Sequence, residues 1–354
     1  MHNSCYFRRS TMAAEILSVG FIGNGKSTNR YHAPFILRLK DKMKIKTIWS
    51  RNHAHDKWDE IPGVTYTGDL DAMLADPEIG LVVITTPHMF HYEFCKKVIA
   101  AGKNCLMDKP FVNTKAEAEE LFALAAERGV ILMGYQNRRF DSDFLTTQKV
   151  VASGKLGEIL EVESHYDYYR PYVPEEAGAY SRDNSYVYGH ACHTLDQVIS
   201  WFGKPDSIHY DVKQTLGSGR MNDYFDIDMN YGRCKVSVKS SYYRVKSRPK
   251  WVVYGRRGMF VKETEDRQEE HLKLFYMPDH DDFGLDRPQD YGTLIYYDEN
   301  DVYHEEKVPT VQGGYEKYYD ALYETIVNGA ERLVKPEQTI YLMQMLEESL
   351  QGLV

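Results

Sequence analysis

Residues 20–28 read GFIGNGKST and directly follow the apolar run at residues 16–19, so the sequence predicts a strand that leads into a glycine-rich turn. The turn fits two phosphate-binding patterns. Counted from Gly20, it matches the P-loop pattern G-x-x-x-x-G-K-S, which directs a lysine at phosphates and a hydroxyl at Mg²⁺. Counted from Gly23, it matches the G-x-G of a dinucleotide fold, with Thr28 where a third glycine is usual. A strand-to-helix turn without a ligand is the third interpretation.

The strands that follow favour the dinucleotide pattern. A P-loop enzyme needs a strand ending in aspartate for its metal, whereas the predicted strand at residues 81–86 ends in threonine and is followed by Pro87. The predicted strand at residues 45–50 ends in Ser50 and Arg51, where a dinucleotide fold contacts the adenosine ribose. No acidic side chain is present there for a 2′-hydroxyl, while a hydroxyl and a guanidinium suit a 2′-phosphate. The sequence therefore predicts NADP, with NAD less favoured.

Size and charge restrict the class of protein. A chain of 354 residues with 43% hydrophobic residues is long enough for two domains and a ligand site between them. The net charge of −9 argues against a nucleic acid or an anionic membrane as partner. No apolar run reaches the roughly 18 residues that a membrane span requires, and the first dozen residues lack the apolar core of a signal peptide. We expect a soluble cytoplasmic protein.

Cysteine and histidine spacing predicts neither disulfides nor a metal. The five cysteines are odd in number and form no C-x-x-C pair. The pairs His88 with His91 and His190 with His193 lack the glutamate of H-E-x-x-H, so they are weak indications of metal ligation. Met12 is an alternative start, because residues 1–11 show no pattern of a folded element.

The apolar pattern changes along the chain. Predicted strands at residues 16–20, 45–50, 81–86, 105–108 and 130–135 alternate with helical segments, one of which begins at a capping box at residues 114–117 and runs to Arg128. This predicts a doubly wound parallel sheet, a Rossmann domain, at residues 12–136. Tyrosine-rich alternating segments at residues 161–169 and 235–243 predict antiparallel strands, and helices are expected at residues 315–328 and 336–350. Residues 137–354 thus predict an α+β domain with a large, mostly antiparallel open sheet, whose last helices could pack back on the first domain.

Lys109 is the first candidate for chemistry. Residues 108–110 read DKP and follow a predicted parallel strand, whose carboxyl end delivers side chains to the edge where open α/β sheets bind ligands. A lysine in that crevice can relay a proton. The alternative is a strand-end lysine in a surface ion pair.

Residues 189–203 supply the second candidate. At helical spacing, His190, His193 and Asp196 share one face, and the carboxylate can influence the imidazole one turn away. The commoner situation for such a face is plain solvation. Residues 136–141 could line the crevice or tie the domains by ion pairs, and the tyrosines of residues 166–171 and 180–188 suit either a polyhydroxylated substrate or a subunit interface.

Together these segments resemble the Gfo/Idh/MocA family over residues 16–350. The resemblance rests on the order and spacing of motifs: Gly23-x-Gly25, Thr86-Pro87-x-x-x-His91, Ala101-Gly102-Lys103-Asn104 before Asp108-Lys109-Pro110, and His193-x-x-Asp196 before Phe202-Gly203. Residues 135–145 with residues 169–171 look most like the branch that contains NADP-dependent scyllo-inositol dehydrogenases.

The resemblance implies roles for particular residues. It makes Lys109 the catalytic lysine and His193 the histidine of the acid/base site. It implies substrate contacts from Asp196, His190, Tyr169 and Arg170. It places the cofactor against a set of residues from the turn and the strand ends: Gly23, Asn24, Gly25, Lys26, Ser27, Ser50, Arg51, Thr86, Pro87, His91, Asp108, Lys109 and Asn137. It also implies a homo-oligomer formed through the second sheet.

Two positions depart from the family pattern. Asp108 stands where glutamate is usual before the lysine, and Gly189 stands where many members carry an aspartate four residues before the histidine. The resemblance implies an NADP-dependent oxidoreductase that interconverts a secondary alcohol of a cyclitol or sugar with its carbonyl form. Gly189 keeps a regulator without turnover open, and cofactor-assisted glycoside cleavage is a further alternative on the same fold. The sequence does not identify the substrate.

Overall fold

The computed structural model describes residues 16–52, 58–179, 181, 185–351 and 353. The suggested start Met12 and the predicted extension before it lie outside these residues, as does Tyr180 of the tyrosine-rich segment.

The first sheet has six parallel strands. They are β1 Leu17–Ile22, β2 Met43–Trp49, β3 Thr65–Thr67, β4 Ile79–Ile84, β5 Asn104–Met107 and β6 Leu132–Gly134, in the order β3-β2-β1-β4-β5-β6. Strands β1 and β4 are buried nearly throughout, because helices cover both faces of a parallel sheet. The doubly wound sheet predicted from sequence is confirmed. Strand β3 was not predicted, since three half-exposed polar residues leave no apolar pattern.

Short helical segments connect these strands. They are a wide π-type turn Ser27–His32, α1 Ala33–Ile36, α2 Leu70–Ala75, a 3₁₀ turn His88–Phe90, α3 His91–Ala100 and α4 Lys115–Arg128. The predicted capping box is confirmed: Oγ1 of Thr114 accepts from the Glu117 amide at 3.1 Å, and the Glu117 carboxylate accepts from the Thr114 amide at 3.0 Å. Helix α4 ends at Gly129 with a left-handed φ of 66°.

The second sheet has eight strands. They are β7 Ile159–His165, β8 Ser207–Lys213, β9 Tyr224–Tyr231, β10 Cys234–Ser241, β11 Trp251–Gly255, β12 Gly258–Lys262, β13 Gly292–Tyr297 and β14 Tyr303–Val308, in the order β14-β13-β12-β11-β7-β10-β9-β8. The helical segments of this half are the 3₁₀ turn Asn137–Phe140, α5 Ser142–Ala152, α6 Val173–Glu176, the π-type turn Val187–Ala191, α7 Cys192–Phe202, α8 Gln268–Lys273, the 3₁₀ turn Pro288–Asp290, α9 Glu316–Asn328 and α10 Pro336–Ser349. The mostly antiparallel sheet is confirmed.

The pairing of β7 with β10 is parallel, unlike the other described pairs of this sheet. The two tyrosine-rich segments were expected to form antiparallel strands, and the sequence does not predict their pairing with each other; Val162 lies opposite Val236. Each strand is antiparallel to its other neighbour. Since the chain passes through α7, β8 and β9 between the two strands, it returns in the same direction.

The last two helices pack against the first half of the chain. Nζ of Lys42 lies 2.5 Å from a carboxylate oxygen of Asp320 in α9, and the Tyr318 hydroxyl donates to the Gly134 carbonyl at 2.5 Å. The Lys115 amide donates to Glu347 in α10 at 3.2 Å. Both buried apolar clusters contain side chains from the two sheets or from these helices, so the halves share their core. The boundary after residue 136 remains a prediction. Within the described residues, no helix is long and apolar enough to cross a membrane.

Candidate active site

The candidate residues of the first half meet at one edge of the parallel sheet. The carboxyl ends of β1, β2, β4 and β5 lead respectively to Gly23, Ser50, Thr85 and Asp108. The strand order reverses direction between β1 and β4, and open α/β sheets bind ligands at such a switch point.

The glycine-rich turn lies tightly against the end of β4. Gly23 has a φ of 118°, and a Cβ there would lie 2.8 Å from Oγ1 of Thr85, so both the backbone conformation and the space require glycine. The hydroxyl of Thr28 donates to the Gly23 carbonyl at 2.7 Å and lies 2.6 Å from the Thr85 hydroxyl. Thr28 therefore holds the turn closed although it replaces the third glycine of the pattern. A Cβ on Gly25 would meet nothing within 4 Å, so a ligand can approach the backbone there.

The P-loop interpretation is wrong for this chain. Gly20 lies inside β1, paired in register with Thr47 of β2 and Val82 of β4. Residues 20–22 are therefore extended and cannot belong to a loop that wraps around phosphates.

An outer pocket of about 350 Å³ opens beside the turn. It is lined by Gly23, Asn24, Gly25, Trp49, Ser50, Arg51, Asn52, Thr85, Thr86, Pro87, Phe90 and Phe94. The guanidinium carbon of Arg51 lies 5.5 Å from the centre of the Phe90 ring. The structure thus brings together the turn, the predicted ribose-contacting pair and the Thr86-Pro87 segment.

His91 does not line this pocket, which corrects its expected cofactor contact. Its side chain is fully buried, with Nε2 2.9 Å from the Thr86 carbonyl oxygen and Nδ1 3.0 Å from the Pro110 carbonyl oxygen. The imidazole joins two loops that carry candidate site residues. Burial lowers the pKa of His91, while the charge of Asp108 and the backbone carbonyls of Thr86 and Phe111 act in the opposite direction.

The carboxylate of Asp108 contacts several residues that line the site. Its carboxylate accepts from the Ser27 hydroxyl at 2.5 Å and from the Lys109 amide at 2.7 Å, and Nε2 of His32 lies 3.6 Å away. Burial alone would raise the pKa of Asp108, but the His32 ring, the charge of Lys109 and the Ser27 hydroxyl hold it below its usual range. His32 in turn lies 2.5 Å from the Tyr319 hydroxyl. Sequence analysis missed His32, which no motif marks.

An inner cavity of about 300 Å³ lies on the other side of the turn. It is lined by Lys26, Ser27, Tyr31, Asp108, Lys109, Tyr135, Asn137, Arg138, Tyr166, Tyr168, Arg170, Gly189, His190, His193, Glu269, Lys273 and Tyr315. Lys109 lines this space together with His193 and His190, and Nζ of Lys109 lies 3.4 Å from the Gly189 carbonyl oxygen. Both predicted catalytic residues and Asn137 are therefore in one cavity built from the two halves of the chain.

The two histidines are neutral in this environment. Burial, followed by the positive charges of Arg138 and Lys109, holds the pKa of His193 well below its usual range. Burial and the charge of Lys109 lower the pKa of His190 to about 3. Nδ1 of each ring is buried without a hydrogen-bond partner in the described structure. A buried ring nitrogen without a partner in a cavity wall suits contact with a bound ligand.

Asp196 does not contact the cavity, which corrects its assignment to the substrate. Its carboxylate accepts from Nε and Nη2 of Arg139, each at 2.8 Å, and the side chain is buried. Gln197 on the same helix donates to the Arg138 carbonyl oxygen at 2.7 Å. The part of the polar face of α7 that carries Asp196 and Gln197 is therefore not solvated; it packs against the 3₁₀ turn Asn137–Phe140.

Tyr169 is also outside the cavity. Its side chain is 59% exposed, whereas Tyr168 and Tyr166 line the cavity instead. Side chains alternate along this extended segment after β7, so neighbouring tyrosines point to opposite sides. Arg170 does line the cavity, with its guanidinium carbon 4.6 Å from the centre of the Tyr168 ring.

Several further wall residues form ion pairs, among them Arg138 from the segment expected either to line the crevice or to form ion pairs. Arg138 approaches Asp141 at 3.3 Å and makes a short contact with Glu269, which also accepts from the Tyr166 hydroxyl at 3.1 Å. Lys273 lies 2.7 Å from Glu269, one turn earlier in α8. The i, i+4 spacing of Glu269 and Lys273 was readable, but it equally describes a solvated helix.

Gly189 occupies the wall beside Lys109 without a steric requirement for glycine. A Cβ there would meet nothing within 4 Å, and the residue belongs to the helical turn Val187–Ala191. In the described part of the chain, no group of three or more His, Cys, Asp or Glu side chains could hold a metal ion.

Comparison with known proteins gives matches over both halves of the chain. A family model described as "Oxidoreductase family, NAD-binding Rossmann fold" matches residues 17–136. A second, described as "Oxidoreductase family, C-terminal alpha/beta domain", matches residues 148–351.

Individual relatives match over nearly their full length. The chain is 42% identical over 333 residues to the uncharacterized oxidoreductase YhhX of Escherichia coli strain K12, covering 94% of this chain and 95% of that protein. It is 31% identical over 342 residues to the scyllo-inositol 2-dehydrogenase (NADP(+)) IolW of Bacillus subtilis, covering 96% and 94%. The crystal structure of an oxidoreductase from Bacillus cereus superposes with a TM-score of 0.88 at 41% identity, covering 95% of this chain and 96% of that one.

Proposed function

The chain belongs to the Gfo/Idh/MocA family of oxidoreductases and has its NAD(P)-binding fold, and we propose that it is an NADP-dependent enzyme that interconverts a secondary alcohol of a cyclitol or sugar with the carbonyl form. One observation carries the proposal. Lys109 and His193, from different halves of the chain, face the same inner cavity beside the glycine-rich turn. That arrangement suits proton transfer next to a bound nicotinamide.

The residues of the outer pocket suit the phosphate groups of NADP. The open backbone at Gly25 and the tight turn at Gly23 suit a pyrophosphate, and Ser50 with Arg51 would hold the 2′-phosphate. When bound, the cofactor supplies a nicotinamide that accepts or returns a hydride. The likeness to IolW, named for NADP, supports the same preference here.

The protein groups of the inner cavity handle the proton. Burial and two nearby positive charges hold the pKa of His193 below the usual range, so its imidazole is unprotonated in the resting cavity and acts as a weak base toward the hydroxyl proton of an alcohol. The Lys109 ammonium can donate a hydrogen bond to the same substrate oxygen and stabilise the negative charge that develops as the proton leaves. In the reverse direction, the same groups return a proton to the carbonyl oxygen.

Three further proposals concern the partners and the location of the protein. The substrate is small and polyhydroxylated, in keeping with the tyrosine, histidine and asparagine side chains of the cavity wall.

The chain forms a homo-oligomer through the face of the second sheet that bears Glu163, Asp228 and Lys239; a monomeric mass by light scattering would reject this. The protein works in the cytoplasm, in keeping with its free cysteines at positions 95, 105, 192 and 234.

A panel of polyols, cyclitols and aldoses, followed at the NADPH absorbance band with NADP⁺ present, tests the activity. We expect at least one secondary alcohol to reduce NADP⁺. If NADP⁺ binds but no member of the panel reduces it, and no matching ketone oxidises NADPH, the proposal fails.

A further inference from the structure

The charge of the inner cavity is unbalanced. Five cationic side chains line it, against two carboxylates: Lys26, Lys109, Arg138, Arg170 and Lys273 against Asp108 and Glu269. Arg138 and Lys273 share the single carboxylate of Glu269, and Arg138 also contacts Asp141, so Lys273 is only partly balanced within the wall. Asp108 is held by Ser27 and the Lys109 amide and lies at the floor of the site.

The remaining cations have no carboxylate partner among the described residues. Nζ of Lys109 contacts only the Gly189 carbonyl oxygen, at 3.4 Å, and the guanidinium of Arg170 lies over the Tyr168 ring. Arg170 is exposed and lines the cavity from the segment after β7. A guanidinium with free donors beside an aromatic wall can bind a planar or tetrahedral anion in a bidentate way.

Other groups of the wall respond to this excess of positive charge. Burial and the charges of Arg138 and Arg170 lower the pKa of Lys273, although Glu265 acts in the opposite direction. The charges of Lys109, Arg138 and Arg170 also contribute to the low pKa of His190. Two titratable groups on different elements therefore experience the same positive field.

The cofactor does not account for the positive charge of Arg170 and Lys273 in the inner cavity. The outer pocket and the inner cavity share no lining residue, and Ser50 and Arg51 belong to the outer pocket. Lys26 adjoins the glycine-rich turn and can serve the cofactor's phosphates. Arg170 and Lys273 come from the second half of the chain, together with the histidines that face the substrate.

We propose that the substrate carries an anionic group, a carboxylate or a phosphate, which is bound by Arg170 and Lys273 while its secondary alcohol lies between Lys109 and His193. This rests on the proposed function and narrows it from neutral polyols to acidic or phosphorylated ones. The anionic group takes no part in the bond changes. The carbinol C–H bond breaks with its electron pair passing to NADP⁺, and the hydroxyl proton passes to His193.

The test compares matched substrates that share a carbon skeleton and differ in one anionic group. D-glucose, D-glucuronate and D-glucose 6-phosphate form one set, and myo-inositol with myo-inositol 1-phosphate forms another. We expect kcat/KM to be at least about tenfold higher for a charged member than for its neutral counterpart, the scale of one charge-assisted hydrogen bond. Whether the uronate or the phosphate is preferred distinguishes the two kinds of anion.

Arg170→Gln removes the charge and retains a polar side chain. We expect it to reduce kcat/KM for the charged substrate at least about tenfold more than for the neutral one, mainly through KM, since the group binds without reacting. Arg233→Gln is the matched control, because Arg233 is 81% exposed and pairs with Glu158 outside the cavity. Equal loss on charged and neutral substrates would overturn the inference.

A binding measurement gives an answer even without turnover. With NADPH saturating, so that the cofactor's phosphate sites are filled, inorganic phosphate and D-glucuronate should raise the Tm of the wild type and of Arg233→Gln but not of Arg170→Gln. Protection of all three proteins alike, or of none, overturns the inference. Turnover of neutral substrates with no preference for charge would overturn it and leave the proposed function intact, whereas anion protection without any hydride transfer would reject the proposed function alone.

Discussion

At the scale of single residues, Ser50 and Arg51 set the cofactor preference that we propose. The two side chains line the outer pocket at the end of β2, with no carboxylate among the lining residues there. A 2′-phosphate can accept from the hydroxyl and the guanidinium, whereas a 2′-hydroxyl gains little from a cation.

Arg51→Ala should therefore weaken NADP binding about tenfold or more and change NAD binding little, because one charge-assisted hydrogen bond contributes about 1.5 to 3 kcal/mol. Titration calorimetry with both cofactors measures this. Arg256→Ala serves as a control for the loss of an exposed arginine, since its side chain is 65% exposed and pairs with Glu158 outside the pocket. Equal losses for NADP and NAD would reject the assignment.

Lys109 and His193 should act as one catalytic unit. Lys109→Met and His193→Ala should each lower turnover about 10²-fold or more, the scale of a lost acid/base group, while NADP binding stays nearly unchanged. The double variant should lose far less than the product of the two factors, because residues that act together are not additive. Steady-state rates on the true substrate decide: a loss below about threefold in His193→Ala would make the histidine structural.

At the scale of elements, α7 shows what the sequence could predict and what it could not. Its helical period predicted a polar face with His193, and the structure brings His193 into the inner cavity. Asp196 lies one turn away on the same face, yet it pairs with Arg139. Periodicity defines the faces of a helix but does not tell which neighbouring element covers each part of a face.

The side chains that line the cavity could likewise not be predicted from residue type or periodicity alone. Tyr168 and Tyr169 are equivalent by composition, and only the direction of the extended backbone places the first in the cavity and exposes the second. Gly189 has neither a positive φ nor a crowded Cβ site. The sequence alone does not tell whether a glycine has either property. By contrast, the strand ends that carry Gly23 and Lys109 were predictable, because parallel strands deliver their carboxyl ends to one edge.

The ion pair between Asp196 and Arg139 should be structural. Breaking a buried pair by removing one partner costs about 3 to 5 kcal/mol, so Asp196→Ala should lower the free energy of unfolding by that order and leave NADP binding nearly unchanged. Chemical denaturation and cofactor titration measure the two quantities. The double variant Arg139→Met with Asp196→Leu should recover much of the stability. Loss of turnover without loss of stability in Asp196→Ala would return the residue to the catalytic site.

At the scale of the whole molecule, the two sheets share their apolar core and the last helices bridge them. Trp49 belongs to the first sheet and Trp251 to the second, yet both lie in one buried apolar cluster. Tyr318 in α9 donates to Gly134 at the end of β6. The active-site cavity can therefore be rigid although its walls come from both halves.

The two halves should therefore unfold together. Variants that retain either Trp49 or Trp251 as the fluorescent reporter should give thermal transitions with the same midpoint, because separation would expose the shared core. Calorimetry on the wild type should show a single peak. Two separated transitions would indicate that each half is stable without the other.

The most direct test of the central claim follows the hydride itself. A secondary alcohol that is turned over is prepared with deuterium on its carbinol carbon and incubated with NADP⁺ and the wild-type protein, and the NADPH is analysed by mass spectrometry. We predict one deuterium in each NADPH formed, equimolar ketone, and a rate lowered about 10²-fold in Lys109→Met. NADPH without deuterium, or product formed without net reduction of NADP⁺, would contradict the claim that this cavity performs alcohol oxidation by hydride transfer.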